Sequence, residues 1–105
     1  MSHPPLFSLC VFCGSAHGGD PRFADAATAV GLEIARRGWR LVFGGGKVGL
    51  MGLLANAALE AGGEVVGVIP RFLYEWEVGH DGLTRLEIVE TLSERKRRMG
   101  ELSDA

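Results

Sequence analysis

The sequence has no long hydrophobic run and no excess of charge of either sign. No apolar segment approaches the roughly 20 residues that cross a bilayer, so no membrane span is predicted. The formal net charge of −2 argues against nucleic-acid binding. The first five residues lack the basic and apolar segments of a signal peptide. We therefore expect a cytoplasmic protein of ordinary globular composition, with no membrane or nucleic-acid partner.

Cysteine is also scarce, and Cys10 and Cys13 are the two present. They form a C-x-x-C within the apolar run 6–13, which predicts a strand buried on both faces. Three residues along a strand span about 10 Å, beyond the ~7 Å limit for a disulfide, and the two side chains face opposite ways. His17 and His80 are isolated and are interpreted as loop histidines. We therefore predict neither a redox pair nor a metal site.

Glycine, by contrast, supplies 16 of the 105 residues and is concentrated in the stretch 44–52. An apolar run, 41–43, precedes this stretch, and a helical pattern begins at Leu50. A strand, a glycine loop and a helix start present free backbone N–H groups and a positive helix end to an anion. A tight turn without a ligand remains the alternative. The glycines that we expect to contact a phosphate or nucleotide are Gly44, Gly45, Gly46 and Gly49.

Two standard nucleotide motifs do not fit this loop. A Walker A loop requires Gly-Lys-Ser/Thr, whereas Lys47 is followed by Val48 and Gly49. An NAD site requires an acid about 20 residues further on, at the end of the next strand. That position is occupied by Pro70 and Arg71, which disfavours NAD and leaves NADP as a weaker alternative.

Apolar runs and helical patterns alternate along the chain. Strands are predicted over 6–13, 40–43, 65–69 and 86–89, and helices from Pro21 to Gly38, from Leu50 to Gly62 and after the capping box of Thr91 and Glu94. This order predicts an α/β fold, a Rossmann-like open parallel sheet with flanking helices. Ligands in such sheets bind beyond the carboxyl ends of the strands, where the loops at Gly14 and Gly44 lie.

Four strands and three helices are half of a typical doubly wound domain. We therefore interpret residues 1–105 as a single incomplete domain, truncated after its fourth strand and the helix that follows. A complete small domain is the alternative.

Two helices carry apolar faces at helical spacing. In the first helix the face comprises Phe23, Ala27, Val30 and Ile34. In the second it comprises Leu50, Leu53, Leu54, Ala57, Ala58 and Ala61.

The last predicted helix contains an arginine within its apolar stripe. Leu92, Met99 and Leu102 fall within about 80° of one another, and Arg95 lies in the same stripe. The other charged residues are predicted to face solvent: Glu94, Arg97, Arg98 and Glu101. A buried-facing arginine is unfavourable unless it meets an anion. That anion is either a structural partner, Glu77 or Glu87, or a ligand phosphate or ribose.

Glu77 lies in an aromatic, weakly charged segment. It is either an acceptor for a ribose hydroxyl or a solvated loop carboxylate.

Four motifs together resemble the Lonely Guy family: Cys13-Gly14-Ser15, the stretch 44–52, Gly67-Val68-Ile69-Pro70, and Glu94-Arg95-Lys96 with Met99. The resemblance covers the chain from Leu6 onward. It implies a Rossmann-like fold, a homodimer and no redox cofactor. It also implies hydrolysis of the N-glycosidic bond of cytokinin or adenine nucleoside 5′-monophosphates, which gives free base and ribose 5-phosphate.

The resemblance also implies roles for particular residues. It places the catalytic arginine on Arg95 and substrate contacts on Lys96 and Glu77, and its glycine motifs add Gly14 and Ser15. The label "lysine decarboxylase", often attached to this family, has no chemical support here, because Lys47 and Lys96 are the only lysines.

One family motif, P-G-G-x-G-T-x-x-E, does not occur in these 105 residues. In the family it cradles the phosphate and supplies the catalytic glutamate. A carboxylate is needed because glycosidic cleavage passes through an oxocarbenium-like state. The 105 residues are therefore expected to carry half of the site and to be inactive alone. A non-catalytic nucleotide-binding module is the alternative, and the residues do not distinguish AMP from an N6-prenylated nucleotide.

We predict that the isolated 105-residue chain is poorly stable or self-associates. A parallel sheet lacking further strands would leave an edge and the apolar stripe of the last helix uncovered. Thermal melting and sedimentation test this. Cooperative unfolding of a clean monomer would contradict the truncation.

Overall fold

The computed structural model describes residues 7–12 and 21–105 of the chain. The strands are β1 (Ser8–Cys10), β2 (Arg40–Phe43), β3 (Glu64–Pro70) and β4 (Arg85–Val89). The helices are α1 (Pro21–Arg36), α2 (Gly49–Glu60) and α3 (Leu92–Leu102), with a 3-10 turn over Arg71–Leu73. The strands form one sheet in the order β1-β2-β3-β4, and every neighbouring pair is parallel. This confirms the predicted open parallel sheet with flanking helices.

The strand bounds differ from prediction mainly at β1. Strand β2 matches its predicted range, and β3 extends one residue further at each end, so that Pro70 is its last residue. Of the predicted residues 7–12 that the structure describes, β1 covers three, although the Val11 N–H still donates to the Val42 carbonyl. Strand β1 pairs with β2 on one edge, and on the other edge its Ser8 and Cys10 backbones hydrogen-bond to Asp104 and Ala105.

Strands β2 and β3 are buried on both faces, which explains their continuous apolar runs. Leu41, Phe43 and Val65 pack under α1 and α2. Val42 and Val68 pack on the opposite face against Met99 of α3. Alternating residues of one strand therefore anchor helices on opposite sides, as the two-residue strand period requires.

The buried face of α2 overlaps only partly with the predicted one, at Leu54 and Ala58. Its buried residues are Met51, Gly52, Leu54, Ala55 and Ala58. Of the predicted residues, Leu50, Leu53 and Ala57 are half-buried and Ala61 is exposed. Because nearly every residue of α2 is apolar or small, periodicity alone does not fix which side faces the sheet.

The predicted face of α1 is also only partly correct. Ile34 is buried, but Phe23 and Val30 are exposed, and Gly31 is buried in their place. Gly31 allows α1 to approach α2 closely, since a Cβ at this position would lie 2.3 Å from the Leu54 carbonyl oxygen. The turn after α1 ends at Gly38, as predicted, with φ +72°.

Helix α3 begins at the predicted cap. The Thr91 hydroxyl accepts a 3.0 Å hydrogen bond from the Glu94 N–H. The Glu94 carboxylate accepts from the Glu90 N–H rather than from that of Thr91, so half of the predicted capping box forms. Of the predicted apolar stripe, Met99 is buried, whereas Leu92 is 55% exposed. Within residues 7–12 and 21–105, no helix is both long and apolar enough to span a membrane.

We predict that Gly31→Ala lowers the free energy of unfolding by about 2–3 kcal/mol, because the new methyl group would force α1 away from the α2 backbone. Denaturant unfolding of the protein expressed from its whole coding region measures this. Gly100→Ala in α3 is the matched control. A Cβ there meets nothing within 4 Å and should stabilise the helix by up to about 1 kcal/mol. Equal effects of the two substitutions would contradict the close helix contact.

Candidate functional site

Arg95 joins three segments of the chain at the carboxyl ends of β2 and β3. Its Nε donates to the Val68 carbonyl oxygen at 3.0 Å, and its Nη2 donates to the Gly44 carbonyl oxygen. Nη2 also lies 2.6 Å from the Glu77 Oε1. The Arg95 side chain is 15% exposed, which matches the inward direction expected from its helical phase. The guanidinium therefore ties β3 and the glycine loop to the segment that carries Glu77.

Glu77 is the structural partner of Arg95, one of the two glutamates considered from the sequence. Its side chain is 16% exposed, so it is not a solvated loop carboxylate. Removing either partner would leave the other charge buried and unpaired, which is strongly destabilising.

Arg98 was expected to face solvent, and that prediction is wrong. Its guanidinium makes two hydrogen bonds to Glu87 of β4, at 2.6 and 3.1 Å. The hydrogen bond from Arg98 lowers the pKa of the Glu87 carboxyl. Helix α3 packs mainly over β3, and its Arg98 rather than its Arg95 reaches Glu87 on the neighbouring strand β4. Arg97, in contrast, is largely exposed.

The glycine loop is shaped by the groups that approach it. A Cβ on Gly44 would lie 2.5 Å from the Arg95 Nη2, and one on Gly46 would lie 2.8 Å from the Glu77 carbonyl oxygen. Gly45 and Gly49 have positive φ angles of 80° and 58°, which glycine adopts without strain. These four positions therefore require glycine for reasons of packing and backbone conformation.

Two backbone donors of this loop are already engaged within the chain. The Lys47 N–H donates to the carbonyl oxygens of Glu77 and Val78, at 2.8 and 2.6 Å, and the Val48 N–H donates to that of Glu77 at 3.3 Å. The predicted anion contacts at Gly44, Gly45, Gly46 and Gly49 remain a prediction. Gly14 and Ser15 lie outside the described residues, as does Cys13.

A cleft of about 230 Å³ opens beside Arg95. It is lined by Phe12, Gly44, Met51, Glu77, Leu92, Arg95, Lys96 and Met99. The structure thus brings together Gly44 and the three charged residues that the resemblance singled out. The cleft combines an ion pair with an apolar wall, a combination suited to an anionic ligand with a flat apolar part. No metal-ligating group of three or more His, Cys, Asp or Glu occurs in the described part of the chain.

His80 is a structural residue that the sequence analysis took for an isolated loop histidine. Its side chain is buried, and its backbone N–H donates to the Gly45 carbonyl oxygen at 2.9 Å. The His80 Nδ1 accepts from the Gly82 N–H at 3.0 Å, so Nε2 carries the proton and donates to the Asn56 Oδ1 at 2.7 Å. His80 therefore connects the loop after Glu77 to both the glycine loop and α2.

The fold and the position of the site define a Rossmann-like α/β protein. A molybdenum cofactor binding protein from Rippkaea orientalis has a TM-score of 0.76 at 22% identity, covering 95% of this chain and 60% of that one. A molybdenum cofactor (Moco) carrier protein from Chlamydomonas reinhardtii has a TM-score of 0.73 at 24% identity, covering 97% and 59%. At these identities the likeness establishes the fold alone.

The family described as possible lysine decarboxylase matches residues 51–105, just over half of the chain. A Rhodococcoides fascians protein named cytokinin riboside 5′-monophosphate phosphoribohydrolase is 49% identical over 106 residues, covering all of this chain and 54% of the relative. An Arabidopsis thaliana protein of the same name is 44% identical over 96 residues, covering 91% and 42%. The chain belongs to this family, which confirms the Lonely Guy resemblance. It spans about half the length of these curated relatives.

We predict that the protein loses stability as the pH falls below about 6.5. Burial, followed by the nearby Lys47, lowers the pKa of His80 below its ordinary value of 6.5, against a smaller opposing effect of Asp81. Just below pH 6.5, His80 in the unfolded chain therefore binds a proton that His80 in the folded chain does not yet bind. The stabilisation is therefore complete above 6.5 and is lost as the pH falls through the folded-state pKa.

Urea unfolding midpoints at pH 7.5 and 5.5 measure this loss, and His80→Gln is the control because glutamine does not titrate. The wild-type midpoint should fall more between these pH values than that of the variant. An equal fall in both proteins would contradict the assignment to His80.

Proposed function

We propose that the protein containing this chain hydrolyses the N-glycosidic bond of cytokinin or adenine nucleoside 5′-monophosphates, releasing free base and ribose 5-phosphate. The observation that carries the proposal is the Arg95 guanidinium, held between β3, the glycine loop and Glu77 beside an open cleft. The names of the curated relatives support the substrate class.

In this proposal Arg95 is the catalytic arginine. Its Nε and Nη2 are held by the chain, and within the described residues Nη1 makes no hydrogen bond. A fixed, forked cation with a free nitrogen suits a phosphate or ribose oxygen and requires little reorganisation when charge develops. Arg95 therefore orients the nucleotide while the glycosidic bond breaks.

Glu77 and Lys96 are proposed as substrate contacts on either side of Arg95. One Glu77 oxygen binds Arg95, which leaves the other as an acceptor for a ribose hydroxyl. Lys96 also lines the cleft and supplies a positive charge suited to the phosphate. The same phosphate would lie against the glycine loop at Gly44, Gly45, Gly46 and Gly49, together with Gly14 and Ser15.

The reaction itself requires a further carboxylate. Water attacks the anomeric carbon as the base departs, and the sugar passes through an oxocarbenium-like state that negative charge stabilises. Among the described residues, Glu77 supplies the one carboxylate that lines the cleft, and its ion pair with Arg95 neutralises it. The family motif P-G-G-x-G-T-x-x-E, expected outside these 105 residues, would supply it.

Four further proposals concern the whole protein. Residues 1–105 form the N-terminal part of one Rossmann-like domain, consistent with the chain spanning 54% of the Rhodococcoides fascians relative. The protein forms a homodimer, acts in the cytoplasm and requires no cofactor. The homodimer and the lack of a cofactor rest on the family resemblance, and the cytoplasmic location rests on the sequence pattern of the first residues.

The test is Arg95→Ala in the protein expressed from its whole coding region. Release of free base from AMP or an N6-substituted AMP should fall at least a hundredfold. Losing a charged contact to the substrate raises the barrier by about 3 kcal/mol or more. Chromatographic detection of the free base measures the rate, and circular dichroism measures folding.

Arg97→Ala is the matched control. The Arg97 side chain is 69% exposed and lies 3.9 Å from Glu101, so its loss should change the rate little. Arg98 is unsuitable as a control because of its two hydrogen bonds to Glu87. Near-normal turnover by folded Arg95→Ala, or a variant that only unfolds, would contradict the catalytic role and leave Arg95 as the structural partner of Glu77. Nucleotide binding by the wild type without release of base would instead identify a non-catalytic binding module.

A further inference from the structure

Val78, directly after Glu77, has an unusual backbone conformation. Among the described residues it is the one non-glycine residue with a positive φ, at 52°. A β-branched residue is a steric outlier in this left-handed region. The Val78 side chain is 45% exposed, so burial does little to offset the strain. Such strain persists where the surrounding structure imposes it, often at functional sites.

The backbone on both sides of Val78 is held by hydrogen bonds to the glycine loop. The carbonyl oxygens of Glu77 and Val78 both accept from the Lys47 N–H. Gly79 then pairs with Gly46 in an isolated antiparallel bridge. These contacts fix the chain before and after the strained residue.

Gly79, although it is a glycine, does not adopt the positive φ in place of Val78. A Cβ on Gly79 would lie 2.2 Å from the Tyr74 ring, so glycine is required there by a close aromatic contact. The Gly79 N–H also donates to the Tyr74 carbonyl oxygen at 3.0 Å. The left-handed conformation therefore falls on Val78.

The positive φ of Val78 lies between two sets of contacts. On one side, the Glu77 carboxylate reaches into the cleft and lies 2.6 Å from the Arg95 Nη2. On the other side, Gly79 and His80 continue along the glycine loop opposite Gly46 and Gly45. With a negative φ at position 78, the chain could not make both sets of contacts as they stand.

We propose that Val78 is a positioning residue, whose left-handed backbone holds the Glu77 carboxylate against Arg95 at the cleft. Its effect on substrate rests on the proposed function, because it acts through Glu77 and touches no reacting atom. The strain is then a consequence of presenting Glu77 to Arg95 while the loop remains attached at Lys47 and Gly46.

Three substitutions at this position separate conformation from side chain, in the protein expressed from its whole coding region. Val78→Asn is the conservative variant, because asparagine tolerates positive φ. Val78→Gly permits positive φ without favouring it. Val78→Pro fixes φ near −65°. Within the described residues the Val78 N–H donates no hydrogen bond, so proline removes none.

The first readout is independent of activity: NMR exchange of the Arg95 guanidinium protons and of the Lys47 amide. We expect Val78→Asn to keep the wild-type exchange rates and to raise Tm by about 3 °C through relief of strain. Val78→Pro should accelerate both exchange rates at least tenfold, whereas Val78→Gly, which can keep the positive φ, should remain near the wild-type rates. If Val78→Pro does not fold, accelerated exchange in both Val78→Asn and Val78→Gly would overturn the proposal, because both variants can keep the positive φ.

The second readout is the affinity for AMP, measured by calorimetry in a double-mutant cycle with Glu77→Gln. We expect Val78→Pro to weaken binding about tenfold and to add little in a Glu77→Gln background, because both changes disable the same carboxylate. Additive losses would show that Val78 does not act through Glu77 and would overturn the proposal. A wild-type protein that neither binds nor hydrolyses AMP overturns the proposed function instead, and the exchange measurements still decide the role of Val78.

Discussion

The structure of the site depends on one guanidinium group that lies among backbone carbonyls. Arg95 binds the carbonyl oxygens of Val68 and Gly44 and the Glu77 carboxylate. Gly44 follows the last residue of β2, and Val68 lies in β3 just beyond the residues that pair with β2. One side chain satisfies both carbonyl oxygens and neutralises a nearly buried carboxylate, which is why an arginine is favourable in the apolar stripe of α3.

The rest of the fold fixes the distances that this contact requires. Met99, one turn beyond Arg95, packs against Val42 and Val68 and holds α3 on the sheet. The absence of a side chain at Gly44 allows the guanidinium to reach the β2 end of the loop. Burial of Met99 therefore positions α3. The lack of a Cβ at Gly44 leaves room for the Arg95 guanidinium.

The segment that carries Glu77 is held in a different way. It is attached to the glycine loop mainly through backbone hydrogen bonds, while Trp76 is 82% exposed. Hydrogen bonds without much apolar burial make a weaker attachment than the core. His80 anchors the far end of this segment to α2.

Local periodicity and capping predict the order of strands and helices, the bounds of β2, the Thr91 cap and the inward direction of Arg95. They do not predict the buried face of α2, because nearly every residue of that helix is apolar or small. The pairing of Glu77 with Arg95 and of Glu87 with Arg98 depends on long-range packing, since the position of α3 over the sheet sets those distances. The strain at Val78 likewise arises from long-range hydrogen bonds to Lys47, which no local pattern records.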